Sequence, residues 1–509
     1  MTGSVRPSLA SLPATFDLVV VGAGITGAGV FREAVRAGAR VLLVDAGDYA
    51  GGTSAWSSKL IHGGLRYLKQ GQWRLTRESV QERGRLLEEA GGLVEPLSFV
   101  MPLYRGRPPG RLMMQAGLWI YDRMAGRHQS GFWSAADAAD REPALTHPDL
   151  AGAVHYQDAV TDDARLVLRL IFDAVADGGH ARNYTQAAIR RDAGRVIGVG
   201  LTDADTGETR EIQAAVTVLA VGHAASAEDG APRLRPLRGS HLVFPAQRLP
   251  VRQALSWLHP QDQRPVFAIP WLGSVVVGTT DLDHVADGEP PRMSAAEADY
   301  LLAGLRAAVP SRRLRLADAT ASYAGVRPVV DRGKADPSAE SRESALWSVP
   351  GLVGATGGKL TTFRITARQI LTQVARQLPG LSLSSDRRLF DGAAPVASQR
   401  GLYGRLGPAA AGRLLQDTPG DERATIGPTP FTWAELRWAA RHEQVVRLED
   451  LMLRRTRLGL LLADGGAAEL PRILAIAAQE LGWDAEACEQ ARITYLRHWQ
   501  QCHDPRAAM

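Results

Sequence analysis

Four side chains suited to acid–base or anion chemistry crowd into one short run, Ser57-Ser58-Lys59-Leu60-Ile61-His62-Gly63-Gly64-Leu65-Arg66-Tyr67-Leu68. A core element would not carry Lys, His, Arg and Tyr around a glycine pair. The run suits a surface where backbone and cationic side chains meet a ligand. Histidine offers a neutral base near pH 7, and arginine a planar fork that grips phosphate or carboxylate. Similar residues recur in Arg238-Gly239-Ser240-His241-Leu242-Val243 and Tyr323-Ala324-Gly325-Val326-Arg327-Pro328. Gly354-Ala355-Thr356-Gly357-Gly358-Lys359-Leu360-Thr361-Thr362 reads as a glycine turn feeding a helix N-terminus, a place that stabilises negative charge.

The elements that must hold these residues begin with the apolar run Phe16-Asp17-Leu18-Val19-Val20-Val21, suited to a buried parallel strand. It leads into Gly22-Ala23-Gly24-Ile25-Thr26-Gly27, a G-x-G-x-x-G turn. Gly22 permits the sharp turn, Gly24 lets backbone approach a pyrophosphate, and Gly27 lets the next helix pack closely. A helix over 28–37 presents its N-terminal N–H groups to the phosphates. Val41-Leu42-Leu43-Val44-Asp45 then forms a second strand, ending in an acid placed to accept from a ribose diol. Strand, turn, helix, strand and acid in this order predict a dinucleotide site. The cationic run just downstream points to a flavin enzyme acting on a small anionic substrate.

At 509 residues, 45% of them apolar, the chain is expected to form two or three domains. No apolar run is long enough to span a bilayer. The first fifteen residues lack a signal-peptide pattern and only Cys488 and Cys502 occur, so a reducing cytoplasmic setting and no cysteine-based metal site are expected. The net charge of +5 comes without basic clusters interleaved with aromatics, which argues against nucleic acid as partner. Only Lys59, Lys69, Lys334 and Lys359 are lysines, and two of these lie in the glycine-rich motifs, where ammonium differs from guanidinium in size and hydration.

Further along, Asp162-Asp163 opens an amphipathic helix to about 175, and strands are expected over 196–202 and 211–220. The second ends in Val218-Leu219-Ala220-Val221-Gly222, either a strand end lying close to a dinucleotide or a plain buried strand. Strands from 238 to 281 suit an antiparallel sheet in a second domain. Residues 396–430 read as a connecting region, followed by helices over 433–440, 448–455, 470–481 and 484–499. In this third, all-α unit Arg437, Arg441, Arg447, Arg454, Arg455 and Arg457 form either a basic face or a solvated face laced with salt bridges.

Taken together, these motifs resemble the FAD-dependent glycerol-3-phosphate dehydrogenases of aerobic glycerol catabolism. The matching pieces are 22–29, 53–68, 161–166, 239–243, 269–271 with 278–281, 323–328 and 357–362, continued by Trp438-Ala439-Ala440-Arg441-His442-Glu443, Leu448-Glu449-Asp450 and Arg454-Arg455-Thr456-Arg457-Leu458. The resemblance implies an α/β plus α architecture. A Rossmann-like FAD-binding domain with a parallel sheet spans 16–75, 150–235 and 320–390. An antiparallel-sheet substrate domain spans 76–149 and 236–319, and a helical domain spans 396–509.

It also implies oxidation of sn-glycerol 3-phosphate to dihydroxyacetone phosphate, with electrons passed to a membrane quinone. The expected enzyme is a homodimer, cytoplasmic and held peripherally on the anionic inner face of the cell membrane. FAD contacts are expected from Gly22, Gly24, Gly27, Asp45, Thr53, Ser54, Ser58, Lys59, Gly222, Gly357, Gly358, Lys359 and Thr361, with no metal. Arg66, Arg327, His62 and Tyr67 are the candidate substrate contacts, and His241, Arg327 and Lys359 the catalytic ones. His241 acts either as the base or as an orienting group while Lys359 or Arg327 meets the developing oxyanion. His62 either touches substrate or holds its loop, Tyr67 shapes the pocket or packs, and Lys59 meets flavin or backbone.

Three positions depart from the family pattern. Leu219-Ala220-Val221-Gly222-His223-Ala224-Ala225 replaces a run with Asn and Trp, Asp45 stands where many relatives carry Glu, and Phe31 replaces a small residue. Altered flavin affinity and altered local helix packing are the corresponding expectations. Readings that share the architecture are an oxidase using O2 and an amine- or amino-acid-oxidising flavoenzyme. A flavin- or metabolite-binding protein with little turnover is the reading from another class.

Overall fold

Near-continuous burial marks the N-terminal strands as a sheet covered on both faces. In the computed structural model, which describes residues 6–65, 68, 71–145, 147–225, 230–285, 288–334, 340, 343–384, 388–390 and 399–508, Leu18, Val20, Val41, Leu43, Val216 and Val218 share one core cluster. The helices Ile25–Arg36, Asp163–Ala176 and Phe363–Ala375 cover that face. Val19, Val21, Leu42, Val44 and Leu219 belong to a second cluster on the other face, with Val196, Val199 and Leu201 of the strand Arg195–Asp203. A strand buried on both faces is apolar throughout, the parallel-sheet pattern.

The strand order is Ala345–Val349, Leu352–Thr356, Thr209–Leu219, Thr15–Val21, Val41–Val44 and His180–Arg182, parallel except for the antiparallel edge at Ala345–Val349. Phe31, the large residue in the first helix, is fully buried. Its ring fills a notch at Gly179, where any Cβ would come within 2.6 Å of it. The altered packing expected at Phe31 is thus absorbed by a glycine on a distant segment.

The second sheet runs Leu282–Asp283, Leu234–Pro245, Ser274–Gly278, Pro265–Trp271, Ala254–Leu258, Val94–Tyr104, Leu150–Thr161 and Leu60–Ile61, with Ala321–Val330 and Gly131–Ser134 also paired into it. All its pairings are antiparallel except Ala254–Leu258 with Val94–Tyr104. Leu242, Phe244, Val275 and Val277 face the helix Ala295–Ala308. Val243, Val276 and Tyr323 face the opposite way, into a cluster with Leu436, Leu453 and Trp499 of the C-terminal helices. The helical unit therefore closes the far face of this sheet.

Several sequence expectations change here. The strands Leu150–Thr161 and Ala321–Val330, expected in the dinucleotide domain, belong to the second sheet. Residues 323–328, which carry Arg327, are the interior of the latter strand. Apolar patterning predicts a strand but not its partner, which is a long-range choice. The connecting region contains the helices Arg400–Leu406 and Pro408–Asp417. No helix among the described residues is long and apolar enough to cross a membrane.

The arginines of the C-terminal unit do not make a basic face. Arg454, Arg455 and Arg457 are buried, while Arg437 and Arg441 pair with Glu422 and Glu480. Carboxylates from other segments draw them in. Asp48, just past the second strand, receives Arg454 Nε at 2.5 Å and Arg455 Nη2 at 2.9 Å. Burial works to raise the Asp48 carboxyl, and the two guanidinium groups overcome it and hold it down to about 2. A second buried pair, Arg165 with Glu443 at 2.6 Å, joins the helix Asp163–Ala176 to the same unit.

Because the folded value of Asp48 lies below the ordinary one near 4, its stabilisation is present above pH 4 and lost as pH falls through about 2. Asp48→Asn leaves two buried guanidinium groups undercompensated. We expect it to lower stability by about 3–5 kcal/mol, read as an earlier thermal unfolding at neutral pH; an unchanged midpoint would discard this role for the pair.

Candidate active site

The glycine turn has the shape its sequence requires. Gly22 has φ +102°, and a Cβ there would lie 2.5 Å from the Ala220 carbonyl oxygen. At Gly27 a Cβ would lie 1.8 Å from the Gly22 oxygen, so the first helix meets the strand with no room for a side chain. Ser54 Oγ accepts from the Ile25 amide at 2.9 Å, at the helix N-terminus, and stands 3.1 Å from a Cβ placed on Gly24. Asp45 ends the second strand, with its oxygens accepting from the Ala23 and Gly47 N–H groups at 2.6 and 2.9 Å.

On the neighbouring strand ends, Gly222 has φ +60° with open space where its Cβ would be, and Gly357 and Gly358 have φ +74° and +87°. Thr356 Oγ1 donates to the Gly222 carbonyl oxygen at 2.9 Å and ties these ends together. A turn stripped of side chains, a helix N-terminus and a terminal acid fit the pyrophosphate and ribose of a dinucleotide. The altered 219–225 segment keeps this open approach at Gly222.

His241 lies on the strand Leu234–Pro245, in register with Gly278 on one side and Tyr323 on the other. Its ring stacks on Tyr323 at 4.6 Å and 13°, and Ser58 Oγ lies 2.8 Å from Nε2. Nδ1 has no hydrogen-bond partner among the described residues. Burial, then the Arg327 and Lys59 charges, push the imidazole well below the ordinary histidine range, so it is neutral at pH 7. Arg327, on the adjoining strand Ala321–Val330, lies across Gly239, where a Cβ would come within 2.2 Å of its guanidinium. Thr279 Oγ1 accepts from it at 2.9 Å and Asp281 at 3.1 Å.

A second group forms around His62. The His62 amide donates to Thr361 Oγ1 at 3.1 Å, which joins the cationic run to the 357–362 turn. Desolvation lowers the His62 pKa, Asp158 opposes this, and the nearby Lys359 and Arg83 charges add to it. The glycine pair rests on a buried assembly that sequence reasoning missed. The Gly63 amide donates to Tyr121 Oη at 2.9 Å and to Asp158 at 3.2 Å, Tyr121 donates to Asp158 at 2.6 Å, and Arg83 pairs with the same carboxylate. A Cβ on Gly63 would come within 2.3 Å of Tyr121 Oη. Only the glycine pair itself hinted at a close approach. Thr53 Oγ1 donates to the Val326 carbonyl oxygen. Arg66 and Tyr67 lie outside the described residues.

A family profile described as "FAD dependent oxidoreductase" matches residues 17–371, and one described as "C-terminal domain of alpha-glycerophosphate oxidase" matches 396–488. Glycerol-3-phosphate dehydrogenase 2 of Mycobacterium tuberculosis H37Rv is 33% identical over 94% of this chain and 87% of its own length. The chain belongs to the FAD-dependent glycerol-3-phosphate dehydrogenase family. The aerobic glycerol-3-phosphate dehydrogenase of Bacillus subtilis is 34% identical over 72% of this chain and 67% of its own. The glycerol-3-phosphate dehydrogenase of Bacillus halodurans, solved with FAD, superposes with a TM-score of 0.76 at 26% identity, covering 96% of this chain and 95% of that one.

As a glycerol-3-phosphate dehydrogenase family member the chain takes FAD, and its glycine turn and strand ends fit that cofactor. Lys59 has its ammonium engaged by protein groups. Its backbone has φ +61°, and its fully buried Nζ donates to Ala55 O at 2.6 Å and to both Asp163 oxygens at 3.0 Å. Burial pulls this ammonium down to about 8 although Asp163 raises it. The Asp163 carboxylate at the start of its helix is what draws the side chain inward, a pairing no local pattern announces.

A Cβ on Gly278 would lie 2.2 Å from His241 Cδ2. Gly278→Ala should therefore displace the imidazole while leaving the dinucleotide turn intact. The expected outcome is normal FAD content with substrate-dependent bleaching slowed at least about tenfold, an order-of-magnitude loss typical of a misplaced catalytic group. Bleaching at the unaltered rate would mean that the His241 position does not matter.

Proposed function

We propose that this flavoenzyme oxidises sn-glycerol 3-phosphate to dihydroxyacetone phosphate and passes the electrons to a membrane quinone. The observation that carries the reading is a fully buried, neutral His241 whose Nδ1 has no partner among the described residues, in the field of an anchored Arg327. Ser58 holds Nε2, so Nδ1 is the nitrogen left to take the C2 hydroxyl proton. Arg327, with Arg66, grips the phosphate and a substrate oxygen through charge-assisted hydrogen bonds. Lys359 stabilises the charge that develops on the C2 oxygen, and His62 and Tyr67 shape the pocket. The glycine turn and strand ends would hold FAD, which would supply the hydride acceptor for C2.

Anaerobic addition of sn-glycerol 3-phosphate should bleach the flavin spectrum rapidly, and His241→Ala should slow it by about 100-fold or more. Bleaching of His241→Ala at the unaltered rate would remove His241 as base, and no bleaching by the unaltered enzyme would remove the substrate. Reoxidation by a soluble quinone analogue without peroxide supports the dehydrogenase reading. Stoichiometric peroxide in air supports the second reading, an oxidase, which the C-terminal match to an oxidase domain keeps in view.

For the membrane contact we propose the helix Arg111–Ala125. Leu112, Met113 and Trp119 are exposed by 82%, 63% and 54%, large values for apolar side chains. Arg123 lies 5.5 Å over the Trp119 ring, and Arg111 begins the helix. Exposed apolar side chains with arginines beside them suit the interface of an anionic bilayer. Co-sedimentation with phosphatidylglycerol vesicles should fall severalfold on Leu112→Ser with Trp119→Ser. Equal binding by the double variant would place the contact elsewhere. The proposed homodimer rests on family membership and would appear as twice the chain mass in light scattering.

A further inference from the structure

The turn that carries Ser58 is held from the C-terminal unit. Arg457 has no exposed surface and left-handed backbone, φ 59°. Its guanidinium donates to Asp162 at 2.9 Å, to the Leu453 carbonyl oxygen at 2.8 Å, to the Ala55 carbonyl oxygen at 3.3 Å, and to Asp163. Asp163 in turn accepts from the Ser57 amide at 3.0 Å, from Ser57 Oγ at 2.7 Å and from Lys59 Nζ at 3.0 Å. Lys59 Nζ lies 4.5 Å from the centroid of the Tyr323 ring, the same ring that stacks on His241. Tyr323 Oη donates to the Ser57 carbonyl oxygen at 2.8 Å, and Ser58 Oγ closes the circuit on His241 Nε2. Each of Arg457, Asp163, Lys59, Tyr323 and His241 is fully buried.

We propose that Arg457 is a positioning residue for the proton-transfer step: through Asp163 and Lys59 it holds the 55–59 turn and the Tyr323 ring against His241. The C-terminal unit thus sets a base that it does not touch. The inference rests on the reading of His241 as that base. The groups bearing on His241 are Ser58 and Tyr323 by contact and Arg327 and Lys59 by charge, with Asp163 and Arg457 behind Lys59. Removing the Arg457 charge leaves Asp163 balanced by Lys59 alone, so the field at His241 becomes more negative. That favours the imidazolium, and a higher pH is then needed to make the base available.

The test compares purified holoenzymes by anaerobic stopped-flow bleaching per bound FAD across pH. Arg457→Met should slow bleaching at saturating substrate about tenfold, change KM by less than about twofold, and move the acid limb of the profile to higher pH. Arg457→Lys should recover most of the rate, and Arg472→Ala, at a half-exposed arginine, should match the unaltered enzyme. A fall in melting temperature or FAD content with an unchanged rate per bound FAD and an unchanged pH profile would overturn the proposal and leave Arg457 purely structural. If Arg457→Met does not fold, Tyr323→Leu keeps the ion network and removes the ring, and an unchanged bleaching rate per bound FAD there overturns the proposal equally. His241→Gln run alongside separates the failures. Slow bleaching by His241→Gln with a normal Arg457→Met sinks the positioning role alone, whereas normal bleaching by His241→Gln sinks the base and the positioning role together.

Discussion

The carboxylate of Asp163 is the interaction on which the rest of the site depends. It opens a buried helix and is itself shielded from solvent, a placement that disfavours a charge. Burial works to raise its pKa, yet Lys59 and Arg457 hold it below the ordinary carboxylate range. Two cations and the Ser57 amide and hydroxyl converge on one anion, so each member of the cluster is compensated only when all are in place. The flavin-side turn, the helix and the C-terminal unit come from segments far apart in the chain. Their meeting here couples the dinucleotide fold to the helical unit.

Asp48 repeats the device at the next turn. It sits beyond the second strand of the dinucleotide motif and takes up Arg454 and Arg455, while Asn183 Nδ2 donates to its other side at 2.9 Å. Asp450 shares Arg454, and burial together with Asp48 raises its pKa. Replacing such pairs by apolar residues of similar volume need not destabilise a protein, but breaking one member does. Their contribution here is geometrical. They fix the orientation of the helices that close the far face of the second sheet, the face to which Tyr323 contributes.

The proposed base owes its character to the same packing. His241 is neutral because burial and two neighbouring cations disfavour the imidazolium, and its ring plane is set by Tyr323. Glycines stand wherever another residue would collide with this arrangement, at Gly239 beneath Arg327, at Gly278 beside His241 and at Gly63 against Tyr121. His241, Gly239, Gly278 and Arg327 are thus brought together by adjoining strands of one sheet. Loops bring in His62 and Lys359, joined through Thr361. A histidine held neutral next to Arg327 suits the proposed oxidation of a phosphorylated secondary alcohol.

Local features of the chain were enough to place the dinucleotide turn, because Gly22 and Gly27 answer to steric demands set within a few residues and an adjoining strand. The same holds for the strand periodicity of 16–21 and 41–44 and for the helices at 163, 433 and 470, whose apolar spacing is a near-neighbour property. His241, Arg327 and Lys359 stood out because their residue types and glycine settings declare a chemistry. What the tertiary structure alone decided is the partner of each charge and the sheet of each strand. Lys59 reads as a ligand-facing cation until Asp163, 104 positions away, takes it inward. Arg455 reads as surface until Asp48, 407 positions away, does the same. The segment around Arg327 reads as part of the dinucleotide domain until Leu234–Pro245 pairs with Ala321–Val330 in the second sheet. The physical reason is common to all three. Backbone conformation and amphipathic spacing are written into consecutive residues, whereas ion pairing, stacking and strand partnership are free energies of contacts that exist only once distant segments are brought together.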